Sequence, residues 1–200
     1  MNIAVFASGK GSNLAAIIRQ VKSGKIKANL ALLVCDQPKA GAIAKAKRAG
    51  IKVALIKRDD FPDKKSFEAK IGEALKENSI DLIVLAGFMR MLGSELVCAY
   101  RGKILNIHPA LLPSFKGSHA IRDAFDYGAK VTGVTVHFVD EKMDHGPIIL
   151  QRAIKIDRRD TPESLEAKIH KLEHKLYPEA IRLVLEGKLK VSGRKVLVSA

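Results

Sequence analysis

Tryptophan is absent from this sequence and tyrosine occurs only three times, which leaves few flat rings for stacking nucleic-acid bases. Cysteine is nearly absent. Cys35 and Cys98 are the two, each in an apolar stretch with no close metal-type partner. That excludes a disulfide framework and predicts buried thiols in a reducing compartment. Long apolar runs are also missing, so no segment is built to span a bilayer. The opening Met1-Asn2-Ile3-Ala4-Val5-Phe6-Ala7 lacks a basic segment followed by a long apolar one. It reads as a first strand rather than an export signal, and the chain is expected in the cytoplasm. No repeat, low-complexity tract or linker interrupts the 200 residues. That length suits one domain, 1–200, with a real core.

Positive charge is plentiful instead, with a formal net charge of +14. A nucleic-acid partner, attraction of small anionic substrates and a merely solvated surface would each account for it. The lysines are scattered rather than gathered into a basic arm, so charge alone selects no function.

Short apolar runs alternate with helical patterns along the chain. Ile3 to Ala7 reads as a strand. Ser8-Gly9-Lys10-Gly11-Ser12-Asn13 is a tight turn, and Leu14, Ile17, Ile18 and Val21 follow at helical spacing with Ser12 or Asn13 as the N-cap. Strands are expected at Leu30 to Val34, Val53 to Ile56 and Leu82 to Ala86. Helices are expected at Ala42 to Ala49 and after Phe61-Pro62-Asp63, with Phe67, Ile71 and Leu75 on one face. The alternation predicts an α/β, doubly wound, mostly parallel open sheet with helices on both faces. Val131 to Val139 and Ile148 to Ile156 read as paired strands joined by a hairpin-like loop. Thr161-Pro162 opens a C-terminal helix, and Leu189 to Val198 reads as a closing hairpin.

The most informative stretch is Ile104-Leu105-Asn106-Ile107-His108-Pro109-Ala110-Leu111-Leu112-Pro113. A short buried strand ends in two prolines that forbid its continuation. Asn106 and His108 are two apart, so an extended chain puts both side chains on one face. Asp144, in the acid-rich loop Asp140-Glu141-Lys142-Met143-Asp144-His145-Gly146, is the best partner for the imidazole. Such a set could run an acyl-type transfer: the amide stabilises an oxyanion, the imidazole moves a proton and the carboxylate holds the imidazole. Equally, Asn106 and His108 could cap a strand end. The Gly-rich turn fits a phosphate cradle or a plain strand-to-helix turn. It lacks the Lys-Ser/Thr of a P-loop and the third glycine of a dinucleotide fingerprint. Gly87-Phe88-Met89-Arg90-Met91-Leu92-Gly93 is either core packing or an apolar binding loop. His170-Lys171-Leu172-Glu173-His174 matches a zinc-peptidase pattern but has no third ligand on another element, so no metal is expected.

The Asn-x-His-Pro-Ala-Leu-Leu-Pro motif at 106–113, with Asp144-x-Gly146-Pro147 after it, resembles the signature of the glycinamide ribonucleotide formyltransferase family. These are folate-dependent enzymes of purine synthesis with a Rossmann-like formyltransferase fold. The resemblance covers the whole chain and implies transfer of a formyl group from 10-formyltetrahydrofolate to glycinamide ribonucleotide. By it, Asn106, His108 and Asp144 are catalytic. Gly11, Ser12 and Asn13 hold the substrate phosphate, and Pro109 and the run His170, Lys171, Leu172 and Glu173 border the ribose. The folate site takes Met89, Arg90, Met91, Leu92, Val97, Asn106 and the loop Asp140, Glu141, Lys142, Met143 and Asp144. Arg90 and Lys64 would face the negative glutamate tail. His119 is auxiliary, a cis peptide is implied at Leu112-Pro113, and His145 has no assigned role. No nucleic acid or membrane partner is implied, and the chain is expected as a monomer or homodimer. Two alternatives remain. Another 10-formyltetrahydrofolate enzyme, the tRNA formyltransferase or the deformylase, would add a domain at one end that this chain lacks. A non-catalytic nucleotide or RNA-binding module would rest on the charge.

Overall fold

In the computed structural model, which describes residues 1–199, the chain divides into two compact units, Met1–Leu105 and the part from Asn106 on. The first unit contains β1 (Asn2–Phe6), α1 (Ser12–Lys22), β2 (Asn29–Cys35), α2 (Gly41–Arg48), β3 (Lys52–Leu55), α3 (Lys64–Glu77), β4 (Leu82–Leu85) and α4 (Ser94–Ala99), and it closes on the start of β5 (Ile104–His108). Its strands lie in the order β3-β2-β1-β4-β5. β1 is parallel to both β2 and β4, and β2 is parallel to β3. Every residue of β4, and Ile3 to Phe6 of β1, is buried. Unbroken apolar strands of this kind suit a parallel sheet covered on both faces.

The helices of this unit bury the faces their spacing predicts: Leu14 and Ile17 on α1, and Phe67, Ile71 and Leu75 on α3. Asp63 caps α3 by accepting the Ser66 N–H at 2.7 Å. The start of α1 differs from the expected Ser or Asn cap. Its N-cap is Gly11, with φ 72° and no side-chain bond, and Ser12 opens the helix. The cause is packing. A Cβ at Gly11 would lie 2.8 Å from Cα of Ala42, so only glycine lets this turn approach α2 so closely.

Cys35 is buried in β2, and burial pushes its thiol up. Cys98 is exposed, against expectation. The short α4 buries Leu96 and Val97, and position 98 rotates off that face at about 100° per residue.

The second unit starts within β5 and contains α5 (Ala120–Asp126), β6 (Val131–Phe138), β7 (Ile148–Lys155), α6 (Pro162–Leu185), β8 (Leu189–Ser192) and β9 (Lys195–Val198). Its strand order is β5-β6-β7, with β8 and β9 forming a separate hairpin. β6 and β7 are antiparallel from Val131↔Lys155 to His137↔Ile148, with a register break between Val136 and His137. Thr161 and Ser164 form a reciprocal capping box at the start of α6, and Pro162 fills its first position. The expected alternation, mostly parallel strands and C-terminal helix are all present. Among the described residues no helix is long and apolar enough to cross a membrane.

Candidate active site

β5 delivers Asn106 and His108, and the β6–β7 loop delivers Asp144. The Asp144 carboxylate brings the three together. Its Oδ2 accepts the Gly117 N–H at 2.9 Å and lies 3.4 Å from Nδ1 of His108. Its Oδ1 accepts from the Asn106 amide at 3.4 Å. Asp144 itself has φ 46°, a left-handed conformation that costs a non-glycine residue roughly 1–3 kcal/mol and persists only when its surroundings hold it.

His108 is buried, and its Nε2 lies 2.7 Å from the carbonyl oxygen of Phe115. A carbonyl can only accept, so Nε2 carries the hydrogen and Nδ1 faces the carboxylate. Phe115 also has positive φ, 49°, and its ring packs edge-on against Tyr127.

The pattern in β6 hid His137, which reads there as one more inward residue of a β-branched strand. Its Nδ1 lies 2.7 Å from the carbonyl of Phe138, so Nδ1 bears the hydrogen and Nε2 accepts from the Asn106 amide at 3.2 Å. Burial pushes the His137 pKa down, which keeps the ring neutral for this role. The β6–β7 register shifts beside this residue, where β7 carries Ile149 as an extra residue opposite β6.

Thr135 is a second missed residue. Its buried hydroxyl donates to Ala110 O at 2.7 Å and accepts from Leu112 N at 3.1 Å and from Gln151 Nε2 at 2.9 Å. Gln151 also donates to Leu112 O at 2.8 Å. One donor and two acceptors are all a hydroxyl offers, so the 109–113 segment, with its cis Leu112–Pro113 bond, is tied to β6 and β7.

The loop around Asp144 is held at both ends. Asp140 accepts the Lys142 N–H at 3.1 Å and lies 2.6 Å from Nδ1 of His145. Burial raises the Asp140 pKa. The His145 and Lys142 hydrogen bonds and the Arg194 charge outweigh that, leaving it below the ordinary value. Glu141, Lys142 and Met143 are exposed, Pro109 is half-buried, and His119 is exposed at the start of α5. On α6, Glu173 is buried and bonds Nδ1 of His170 at 2.9 Å, while Nε2 of His170 faces Glu166 at 3.2 Å. Both His170 nitrogens are thus engaged by carboxylates. Among the described residues no group of three or more His, Cys, Asp or Glu is arranged to hold a metal ion. Lys171 is exposed and Leu172 half-buried beside them.

In the first unit, Gly11, Ser12 and Asn13 form the turn and opening of α1, with Asn13 buried. A cleft of about 550 Å³ beside this turn is lined by Ser8, Gly9 and three lysines, Lys10, Lys39 and Lys45. Lys45 donates to Lys10 O at 2.7 Å, so one of the cations is fixed to the loop. After β4, Met89 and Met91 are exposed, which rules out core packing for them. The Met89 N–H is held by Ser8 Oγ at 3.0 Å, and Val97 is buried. Arg90 is not open to solvent charge alone. It donates to buried Asp36 at 2.6 Å and lies over the ring of Phe67. Lys64 pairs with Glu68 at 3.6 Å.

Comparison with known proteins agrees with this architecture. The formyl transferase family profile matches residues 1–181. The chain is 50% identical over 182 residues to the phosphoribosylglycinamide formyltransferase of Bacillus subtilis, covering 91% of this chain and 93% of that one. It superposes on glycinamide ribonucleotide transformylase 1 from Symbiobacterium toebii with a TM-score of 0.98 at 41% identity, over 100% of this chain and 94% of that one. A formyltetrahydrofolate deformylase from Pseudomonas syringae shares the fold at TM-score 0.93 but only 26% identity, over 100% of this chain and 66% of that one. The chain belongs to the formyl transferase family, with the phosphoribosylglycinamide formyltransferases.

Proposed function

We propose that this chain transfers the formyl group of 10-formyltetrahydrofolate to the amine of phosphoribosylglycinamide, in the cytoplasm, as a step of purine synthesis. The near-full-length identity to the Bacillus subtilis formyltransferase carries this reading. The deformylase shares the fold at about half that identity, so fold alone would not separate transfer from hydrolysis.

The cluster at Asp144 suggests how the transfer runs. The amine nitrogen attacks the formyl carbon, and negative charge grows on the formyl oxygen. Collapse then breaks the bond to the folate nitrogen, which leaves with a proton given up by the amine. Asn106 and His108 would offer N–H groups to the growing oxyanion. Those hydrogens already have acceptors: His137 and Asp144 for the amide, and Phe115 O for the imidazole. An oxyanion is the stronger acceptor, so exchange toward it is favourable as charge develops. Asp144 would hold the imidazole and the amide in place and help order the water that carries the amine proton to the folate nitrogen. Gly11, Ser12 and Asn13 would hold the phosphate, and Pro109 and His170 to Glu173 would border the ribose. Lys64, Met89 to Leu92, Val97 and the 140–144 loop would take the folate. No metal and no covalent enzyme intermediate enters.

The test follows tetrahydrofolate release on adding phosphoribosylglycinamide. His108→Ala and Asp144→Asn should each lower turnover by ~10²–10³ with the fold intact. Near-normal rates in either variant would remove its assigned role. Release of tetrahydrofolate and formate without the ribonucleotide would make the chain a deformylase instead.

A further inference from the structure

The residue after Asp144 is gripped from outside its own loop. Arg194, at the tip of the β8–β9 hairpin, donates from Nη2 to the main-chain oxygen of His145 at 2.6 Å. Its Nη1 lies 3.1 Å from Nε2 of the same imidazole. His145 gives its Nδ1 hydrogen to Asp140 at 2.6 Å, and Nη1 of Arg194, also 3.3 Å from that Nδ1, lies over the ring face. The planar fork thus holds one residue by ring and backbone together. A cleft of about 430 Å³ is lined by Arg194, His145, Asp144 and Lys116, among others. The hairpin lies beyond the residues matched by the family profile.

This grip falls where the backbone most needs it. Asp144 holds a left-handed φ of 46°, and next to His145 the chain passes through Gly146, packed against Phe138 O. Freed of the clamp, Asp144 would relax toward an ordinary conformation and its carboxylate would swing away from Asn106 and His108.

We propose that Arg194 is a positioning residue for formyl transfer. Through His145 it fixes the backbone of Asp144 and so the aim of its carboxylate. This rests on the proposed function above.

The experiment compares Arg194→Ala and Arg194→Lys with Lys195→Ala, a neighbouring exposed cation on the hairpin. Arg194→Ala should lower kcat about tenfold, since small misplacement of a reacting group is costly, with KM for phosphoribosylglycinamide within about twofold. Amide hydrogen exchange at residues 143–146 should quicken in the same variant. Arg194→Lys keeps the charge but not the fork and should fall nearly as far, while Lys195→Ala should match the parent. Unchanged kcat or unchanged exchange in Arg194→Ala overturns the proposal, as does full activity in Arg194→Lys. If the parent itself shows no ribonucleotide-dependent transfer, it is the proposed function that fails, and the exchange data still report on the clamp.

Discussion

His170 sits between two carboxylates on α6. Its hydrogen bond to Glu173 raises its pKa above the ordinary 6.5. Burial opposes this, and the charge of Glu173 and the contact with Glu166 add to the rise. Protonation therefore favours the folded chain. The contribution is complete below about pH 6.5 and disappears as pH rises through the raised folded value. The ring is 40% exposed, so solvent screening keeps the effect under about 1 kcal/mol. His170→Asn should lower the denaturant midpoint slightly at about pH 5.5 and leave it unchanged at about pH 8.5. A loss confined to the alkaline side would reverse the sign and refute the pairing. The candidate catalytic residues were legible because Asn106 and His108 stand out as polar side chains in an apolar strand, and Asp144 ends an acid-rich loop. His137 and Thr135 were not. Their side chains alternate with valines, and nothing local shows that one of them meets Asn106 across the sheet. His145 was seen but left without a role, because its partner Arg194 is 49 residues away in sequence.

At the scale of elements, the β6–β7 connection is fixed by contacts that leave little room. A Cβ on Gly146 would collide with the main-chain carbonyl of Phe138, and backbone cannot swing aside as a long side chain can. Gly146→Ala should destabilise the protein by about 2 kcal/mol or more and abolish most turnover, because the loop carrying Asp144 must shift. Gly128 is the control. It has φ +77° but open space around it, so alanine there should cost about 1 kcal/mol and leave the rate intact. Thermal unfolding and steady-state rates on both variants check this, and equal losses of activity would contradict it. Strand and helix positions were readable to within a residue or so, since apolar periodicity is strong in β1, β4 and α3. The start of α1 was misread because polar side chains that could cap a helix say nothing of the space beside them. It is the nearness of Ala42 that hands the cap to Gly11.

For the whole molecule, the charge of +14 has a use if the substrate is a phosphate monoester. A positive field gathers such anions and speeds their arrival. Raising salt from about 20 mM to about 300 mM shortens the screening length several-fold. This should reduce kcat/KM for phosphoribosylglycinamide several-fold while leaving kcat nearly constant. A flat salt profile would show that the lysines serve solubility alone, and a steep salt-dependent affinity for RNA would revive the nucleic-acid alternative. The fold class was readable from the alternation of elements, whereas no composition statistic could say which anion the charge is for. The two cysteines differ in a way that matters at the bench. With Cys35 sealed inside β2 and Cys98 on the surface of α4, a maleimide dye would attach at a single place without mutagenesis. In a protein that has no indole of its own, that thiol gives spectroscopists a ready reporter for substrate-driven motion.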